Sequence, residues 1–269
     1  MVKFYSTSYN YDYSFSAVSL AYYLRYPNPY STHVLSTDVI DRHFDPETQR
    51  MTTVRLHLKR SKLPSALLKL LPKSILGTSA DGNSTSYILE RSTVDIKEGW
   101  MKTENKNLDW TTVLSVIESQ EYRRSGGDLL GGAIKSADPM QQPVRETTHV
   151  TTTVTLRSHV GENIRKRRAR IAEAAANEAE TTQPMGFFKS WTTGSIQRSV
   201  ELMGLRRAEG AQPKAKEGMR VVLERLRDGG LVGVLEGMRR DRELVFAGQG
   251  DWKVQSDETQ SPEVNWQGD

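Results

Sequence analysis

The stretch Arg25-Tyr26-Pro27-Asn28-Pro29-Tyr30-Ser31-Thr32-His33-Val34-Leu35 ends one element and starts another with little freedom between them. Just upstream, Ser16 to Leu24 reads as the close of a helix. Pro27 disfavours helical geometry at Tyr26 and Pro29 does the same at Asn28, so the chain must turn. Arg25 is left in the last helical turn, where a cation suits the negative end of the helix dipole. His33 stands at the mouth of the next apolar-alternating stretch. On physical grounds alone, the segment is a rigid helix-to-strand connection with a capping arginine.

Outward from this turn, Val2 to Tyr11 reads as a strand and Phe15 to Leu24 as the helix that precedes the turn. His33 to Arg42, Arg50 to Lys59, Ser84 to Ile96 and Met101 to Leu108 are strand-like, with Glu98-Gly99 as a hairpin turn. Thr111 to Arg123 and Thr147 to Arg157 add two more segments rich in Val, Thr and Tyr. A helical region follows from about Ser195 to Asp228, with Val200, Met203, Leu205, Val221, Val222, Leu223 and Leu226 as its apolar positions and Pro213 expected to kink it. Strand, helix, a run of strands and a closing helix argue α+β, an antiparallel sheet with helices on one face. Such a sheet can curl around a cavity.

With 269 residues and 36% apolar content, the chain can bury the core of one large domain. The expectation is a domain over residues 1–230 and a largely disordered tail over 231–269, because periodicity fades after Gly229. Two insertions interrupt the domain, at about 125–145 and 161–186. The first has the Gly/Pro composition of a loop, and the second a basic start at Arg165-Lys166-Arg167-Arg168 that suits a solvated surface helix.

Zero cysteines exclude a disulfide framework, thiolate chemistry and a cysteine-based zinc site. Lys plus Arg (37) nearly balances Asp plus Glu (33), so nucleic acid is not an expected partner, while acidic lipid or phosphate stays open. No apolar run approaches the roughly 18 to 20 residues that span a bilayer, and the N-terminus has neither a matrix presequence nor a secretory core. Those features alone point to a soluble cytosolic protein. His33, His43, His57, His149 and His159 are scattered without metal-ligand spacing, and Gly127 to Lys135 lacks the lysine of a phosphate loop. No enzyme, metal site or cofactor is expected.

Lys62 to Leu76 is the unusual segment. It holds Leu63, Leu67, Leu68, Leu70, Leu71, Ile75 and Leu76, with Lys62, Lys69 and Lys73 as its only charges. It reads either as a short, proline-bounded core helix or as a lid that closes over an apolar cavity and touches anionic membrane when open.

The run R-Y-P-N-P-Y-S-x-H-V-L, in a chain beginning Met1-Val2-Lys3, resembles the signature of the PRELI family of mitochondrial intermembrane-space lipid-transfer proteins. The likeness continues through Thr52-Thr53-Val54-Arg55-Leu56 and Lys62-Leu63-Pro64, and more loosely at Ser195 to Glu201 and Gly218-Met219. It is closer to the branch associated with phosphatidic acid than to the one associated with phosphatidylserine. The resemblance implies a helix-grip domain, a curved sheet wrapped around a long C-terminal helix that encloses a lipid cavity. It also implies transfer of phosphatidic acid between the mitochondrial outer and inner membranes in support of cardiolipin synthesis, with a small helical twin-cysteine chaperone as partner. Carried over residue by residue, the headgroup candidates are Arg25, His33, Arg55, Lys59, Arg207 and Lys214. The lid and membrane candidates are Lys62, Leu63, Leu67, Leu68, Lys69, Leu71 and Lys73. The sequence departs from the family pattern at Met203 and Pro213. The rival readings are carriage of another phospholipid such as phosphatidylserine, and a non-transferring adaptor or RNA-associated protein using residues 165–170.

Overall fold

Each strand pairs antiparallel with its neighbours, and the chain order of the strands is also their order in space, except that the first closes against the last. The computed structural model describes residues 2–62, 83–111, 113–125, 146–159 and 193–247. The elements are β1 (Val2–Tyr11), α1 (Phe15–Tyr23), β2 (Val34–Asp45), β3 (Arg50–Lys62), β4 (Asn83–Asp95), β5 (Trp100–Asn107), β6 (Leu114–Ser125), β7 (Thr147–Ser158) and α2 (Thr193–Ala247). The order across the curved seven-stranded sheet is β1-β7-β6-β5-β4-β3-β2, with β1 and β2 as its edges. Both helices pack on one face, which is the helix-grip architecture expected from the sequence. Glu98-Gly99 does turn the β4–β5 hairpin, with Gly99 at φ 70°.

Side-chain alternation decides which face is inner. Thr53, Arg55 and His57 of β3, Glu90, Ser92 and Val94 of β4, and Val150, Thr152 and Val154 of β7 are all buried, each two residues from the next. At one end of the molecule this face meets α1 and α2 in a core of Phe15, Val18, Tyr22, Met101, Tyr122, Met219, Val222 and Leu223. Burying each such side chain is worth about 1.5–3 kcal/mol.

α1 starts at an N-cap, where the Ser14 hydroxyl accepts from the Ala17 amide at 3.3 Å, and buries Phe15, Val18 and Tyr22 along one stripe. The turn that follows is pinned through Asn28, which is 2% exposed. Its Nδ2 donates to the Arg25 carbonyl at 2.6 Å, and its Oδ1 accepts from the Tyr30 amide at 2.9 Å. The carboxamide lies flat against α2 at Gly218, where a Cβ would sit 2.8 Å from Oδ1. Two distant parts of the sequence, the double-proline turn and Gly218-Met219, are therefore one packing unit.

The C-terminal region differs from the sequence expectation in two respects. Helical backbone geometry persists through Pro213, and the break falls at Gly230, with φ 58° and ψ −154°. Residues 231–247, expected to be disordered, form a second helical arm. The chain reverses direction at Gly230, since Arg225 Nη1 and Asp241 Oδ2 meet at 2.6 Å, whereas sixteen residues of straight helix would hold them about 24 Å apart. Val234 of this arm is fully buried in the core, and Met238 packs against it. Fading hydrophobic periodicity in the sequence reflected a short arm with one thin contact stripe. The expected insertions, at about 125–145 (beyond Ser125) and 161–186, and residues 248–269, lie outside the described residues.

Candidate functional site

The inner face of α2 carries Gly204, Ala208, Ala211 and Ala215 at helical spacing, between Val200 and Met219. Small side chains over that stretch cannot fill the gap between helix and sheet, whereas Met219, Val222 and Leu223 fill it one turn further on. A cavity of about 370 Å³ results. Its apolar lining is Ile88, Val113, Leu114, Val116, Val154 and Leu156, together with the alanines of α2. Polar groups of the inner sheet face, among them Asn105, Glu118 and Gln120, line the rest.

Cations gather on the same cavity. Arg25, Lys59 and Arg207 line it. His33 keeps solvent access, yet desolvation of its ring, followed by the charges of Lys59, Arg207 and Lys214, pushes its pKa down to about 4. At neutral pH it is therefore uncharged and sits within the electrostatic reach of three cations. Among the described residues neither Lys59 nor Lys214 forms an ion pair, and the Lys59 ammonium lies 5.8 Å from the Tyr26 ring. Of the six headgroup candidates, Arg25, Lys59 and Arg207 thus line the cavity, while His33 and Lys214 are not lining residues and join them through the charges felt at His33.

Arg55 is placed differently. It lies outside this cavity, on the neighbouring strand position directly opposite Glu90. Its Nε donates to Glu90 Oε1 at 2.7 Å and its Nη1 to the Tyr23 carbonyl at 2.9 Å. Glu90, fully buried, also receives Arg25 Nη2 and accepts from His57 Nε2 at 3.0 Å. Arg25 in turn donates Nη1 to the Tyr22 carbonyl at 2.7 Å, so it does satisfy a helix-end carbonyl, although from beyond the last turn. Its guanidinium also lies over the Tyr22 ring at 3.7 Å.

Burial alone would raise the Glu90 carboxyl, but the Arg25 charge, the His57 hydrogen bond and Arg55 outweigh it and hold the pKa well below the usual range. Burial lowers His57 against the opposing pull of Glu90. A neutral His57 donating from Nε2 leaves Nδ1 to accept from the Thr37 hydroxyl at 2.9 Å. Two guanidiniums and one carboxylate leave this buried cluster with a net positive charge beside the cavity.

The sequence reading did not single out Glu90, and the available signal was strand parity. In Ile88-Leu89-Glu90-Arg91-Ser92-Thr93-Val94, glutamate shares the inward set with Ile88, Ser92 and Val94. Of the lid candidates, Lys62 ends β3, and Leu63, Leu67, Leu68, Lys69, Leu71 and Lys73 lie outside the described residues. The chain enters and leaves that segment beside the cavity, since Lys59 of β3 and Ser84 and Ser86 of β4 are all lining residues.

The pattern of the PRELI-like family matches residues 16–129, which include the turn, β3 and the Glu90 strand. A protein of Schizosaccharomyces pombe, the ups1 homolog, is 36% identical over 132 residues, covering 49% of this chain and 71% of that protein. The chain belongs to the PRELI-like family. The mitochondrial UPS1 protein of Saccharomyces cerevisiae is 37% identical over 123 residues, covering 46% of this PRELI-like chain and 65% of the yeast protein. Mouse PRELI domain-containing protein 1, also named as mitochondrial, is 33% identical over 109 residues, 40% of this chain and 46% of the mouse protein, so the match spans about half of that relative. Among solved structures, the ZhuI aromatase/cyclase of Streptomyces sp. R1128 aligns over 86% of this chain and 99% of its own at 8% identity, with a TM-score of 0.44.

Proposed function

We propose that this PRELI-like protein is a carrier of phosphatidic acid between the mitochondrial outer and inner membranes, working without covalent chemistry. The observation that carries the reading is the joining of an apolar cavity to the cations Arg25, Lys59 and Arg207 that line it, with Lys59, Arg207 and Lys214 acting on a neutral His33. Moving a methylene from hydrocarbon to water costs about 0.8 kcal/mol, so two acyl chains of some sixteen carbons would cost on the order of 25 kcal/mol if left exposed. A carrier must enclose them and must supply cations to a desolvated phosphate. The described walls of the cavity, at about 370 Å³, hold roughly a dozen methylene-sized groups at about 30 Å³ each. In this reading the headgroup and the first part of the chains sit there. The remainder extends toward the Lys59 and Ser84 edge, where Leu63, Leu67, Leu68 and Leu71 would cover it and Lys62, Lys69 and Lys73 would meet anionic membrane.

The Saccharomyces cerevisiae and mouse relatives are named as mitochondrial, and the resemblance of the chain extends this to the intermembrane space and to a small helical twin-cysteine chaperone as partner. Support of cardiolipin synthesis belongs to the same reading. Mass spectrometry of lipid extracted from the purified protein tests the cargo. Stoichiometric phosphatidic acid is the expected result. Phosphatidylserine in its place would move the assignment to another phospholipid, and no bound lipid at all would remove the carrier reading.

A further inference from the structure

A second pocket, of about 480 Å³, lies on the other side of Tyr26 from the main cavity. Its apolar wall comes from three places: Leu20 of α1 with Leu24 at its C-cap, Val39 and Met51 of the β2–β3 edge, and Met238, Val245 and Phe246 of the C-terminal arm. Arg42, Arg55 and Arg242 also line it, with no acidic side chain among the lining residues.

A groove with an apolar wall and three guanidiniums, Arg42 and Arg242 exposed at its rim and Arg55 anchored by Glu90 behind it, suits an anionic group carried on an apolar chain. Among the described residues Arg42 donates Nε to the Thr53 hydroxyl at 3.3 Å, and its guanidinium lies 5.9 Å from the centre of the Tyr23 ring. Arg55, 3% exposed, shares Glu90 with Arg25, and its Nη2, though in ion-pair contact with Glu90, makes no hydrogen bond.

We propose that this pocket binds a single-chain amphiphile with an anionic head, the head against Arg42, Arg55 and Arg242 and the chain along Leu20, Met51 and Phe246. The pocket is distinct from the main cavity: among the described lining residues Tyr26 alone belongs to both. One acyl chain of sixteen carbons needs about 500 Å³ at roughly 30 Å³ per methylene, which suits one chain and excludes two. Either a fatty acid carboxylate or a lysophospholipid phosphate provides the required head, and both pair with guanidinium groups.

The full-length protein is titrated with oleate, with oleoyl lysophosphatidic acid and with oleyl alcohol, and a diazirine-bearing oleate is photo-crosslinked and mapped by peptide mass spectrometry. Crosslinks are expected within residues 20–51 and 238–246. Both acids should bind, the tighter naming the source of the head, and the alcohol at least tenfold more weakly. Arg42→Gln combined with Arg242→Gln should weaken oleate at least tenfold while leaving thermal melting and phosphatidic acid transfer unchanged. Crosslinks confined to main-cavity residues such as Leu114 and Val200 would overturn the proposal, as would equal binding of the alcohol, unaltered binding by the double variant, or no binding by any of the three.

Discussion

Glu90 holds more of the site together than any cation does, because Arg25, Arg55 and His57 all reach it in the buried interior. Removing its charge would leave two guanidiniums buried without a counter-ion, a situation that costs about 3–5 kcal/mol. Glu90→Gln should lower unfolding free energy in urea by that amount, and a loss below about 1 kcal/mol would show that the arginines are held by their carbonyl and aromatic contacts instead. The histidines set the pH response. His57 and His33 are both depressed from 6.5, His33 to about 4, so they stay neutral in the fold while the unfolded chain protonates. The unfolded state then binds more protons, and stability is full above about pH 6.5 and declines as pH falls toward 4. Glu90, also depressed, adds a further loss below about pH 4.5. Thermal melts across pH 7.5 to 4.5 should show the decline, and His33→Asn should flatten it; a parallel profile would mean that His33 titrates normally. Arg25 and His33 were legible because the double-proline turn fixes both in sequence. Glu90 was not, since one acid in a strand of mixed residues announces its role only through parity and the strand opposite.

At the scale of elements, the cavity exists because α2 changes character along its length. Gly204, Ala208, Ala211 and Ala215 leave the space that Met219 and Leu223 close. Ala211→Trp should occupy that space, leave folding intact by circular dichroism, and abolish lipid loading measured by mass spectrometry; undiminished loading would place the lipid elsewhere. The joint between the turn and α2 is equally specific. Asn28 is fixed by two hydrogen bonds and cannot retreat from a Cβ at position 218. Gly218→Val should therefore destabilise by about 1–3 kcal/mol, read from the urea midpoint, and a neutral result would mean that the turn can slide along the helix. Strands were readable from Val, Thr and Tyr content and alternation, and all seven emerge within a few residues of their expected bounds. The alanine face was not noticed, because small residues carry little hydrophobic signal and a reading of periodicity looks for large ones. The break at Gly230 was obscured by Pro213, which the helix tolerates while Gly230 adopts positive φ.

For the whole molecule, sheet, turn and helix cooperate to place one apolar compartment next to a surplus of positive charge. Neither the core nor the charge is sufficient alone: an apolar cavity takes any lipid chain, and exposed cations attract any acidic surface within about 8–10 Å. Their combination is what the proposed anionic lipid cargo requires. The fold class followed from element order, whereas the depth and wall of the cavity depend on contacts between residues far apart in the chain, such as Leu114 and Leu156 with Gly204. Lys59 offers the cleanest test of the central claim, since it lines the cavity and, unlike Arg25 and Arg55, forms no ion pair among the described residues whose loss would disturb the core. The measurement is transfer of trace fluorescent phosphatidic acid between phosphatidylcholine vesicles, whose neutral bulk removes the contribution of surface charge. The parent protein should transfer it, and Lys59→Glu should reduce the rate at least tenfold with unchanged thermal melting. Transfer by Lys59→Glu at the parent rate would contradict the assignment of this cavity as the site of the anionic headgroup.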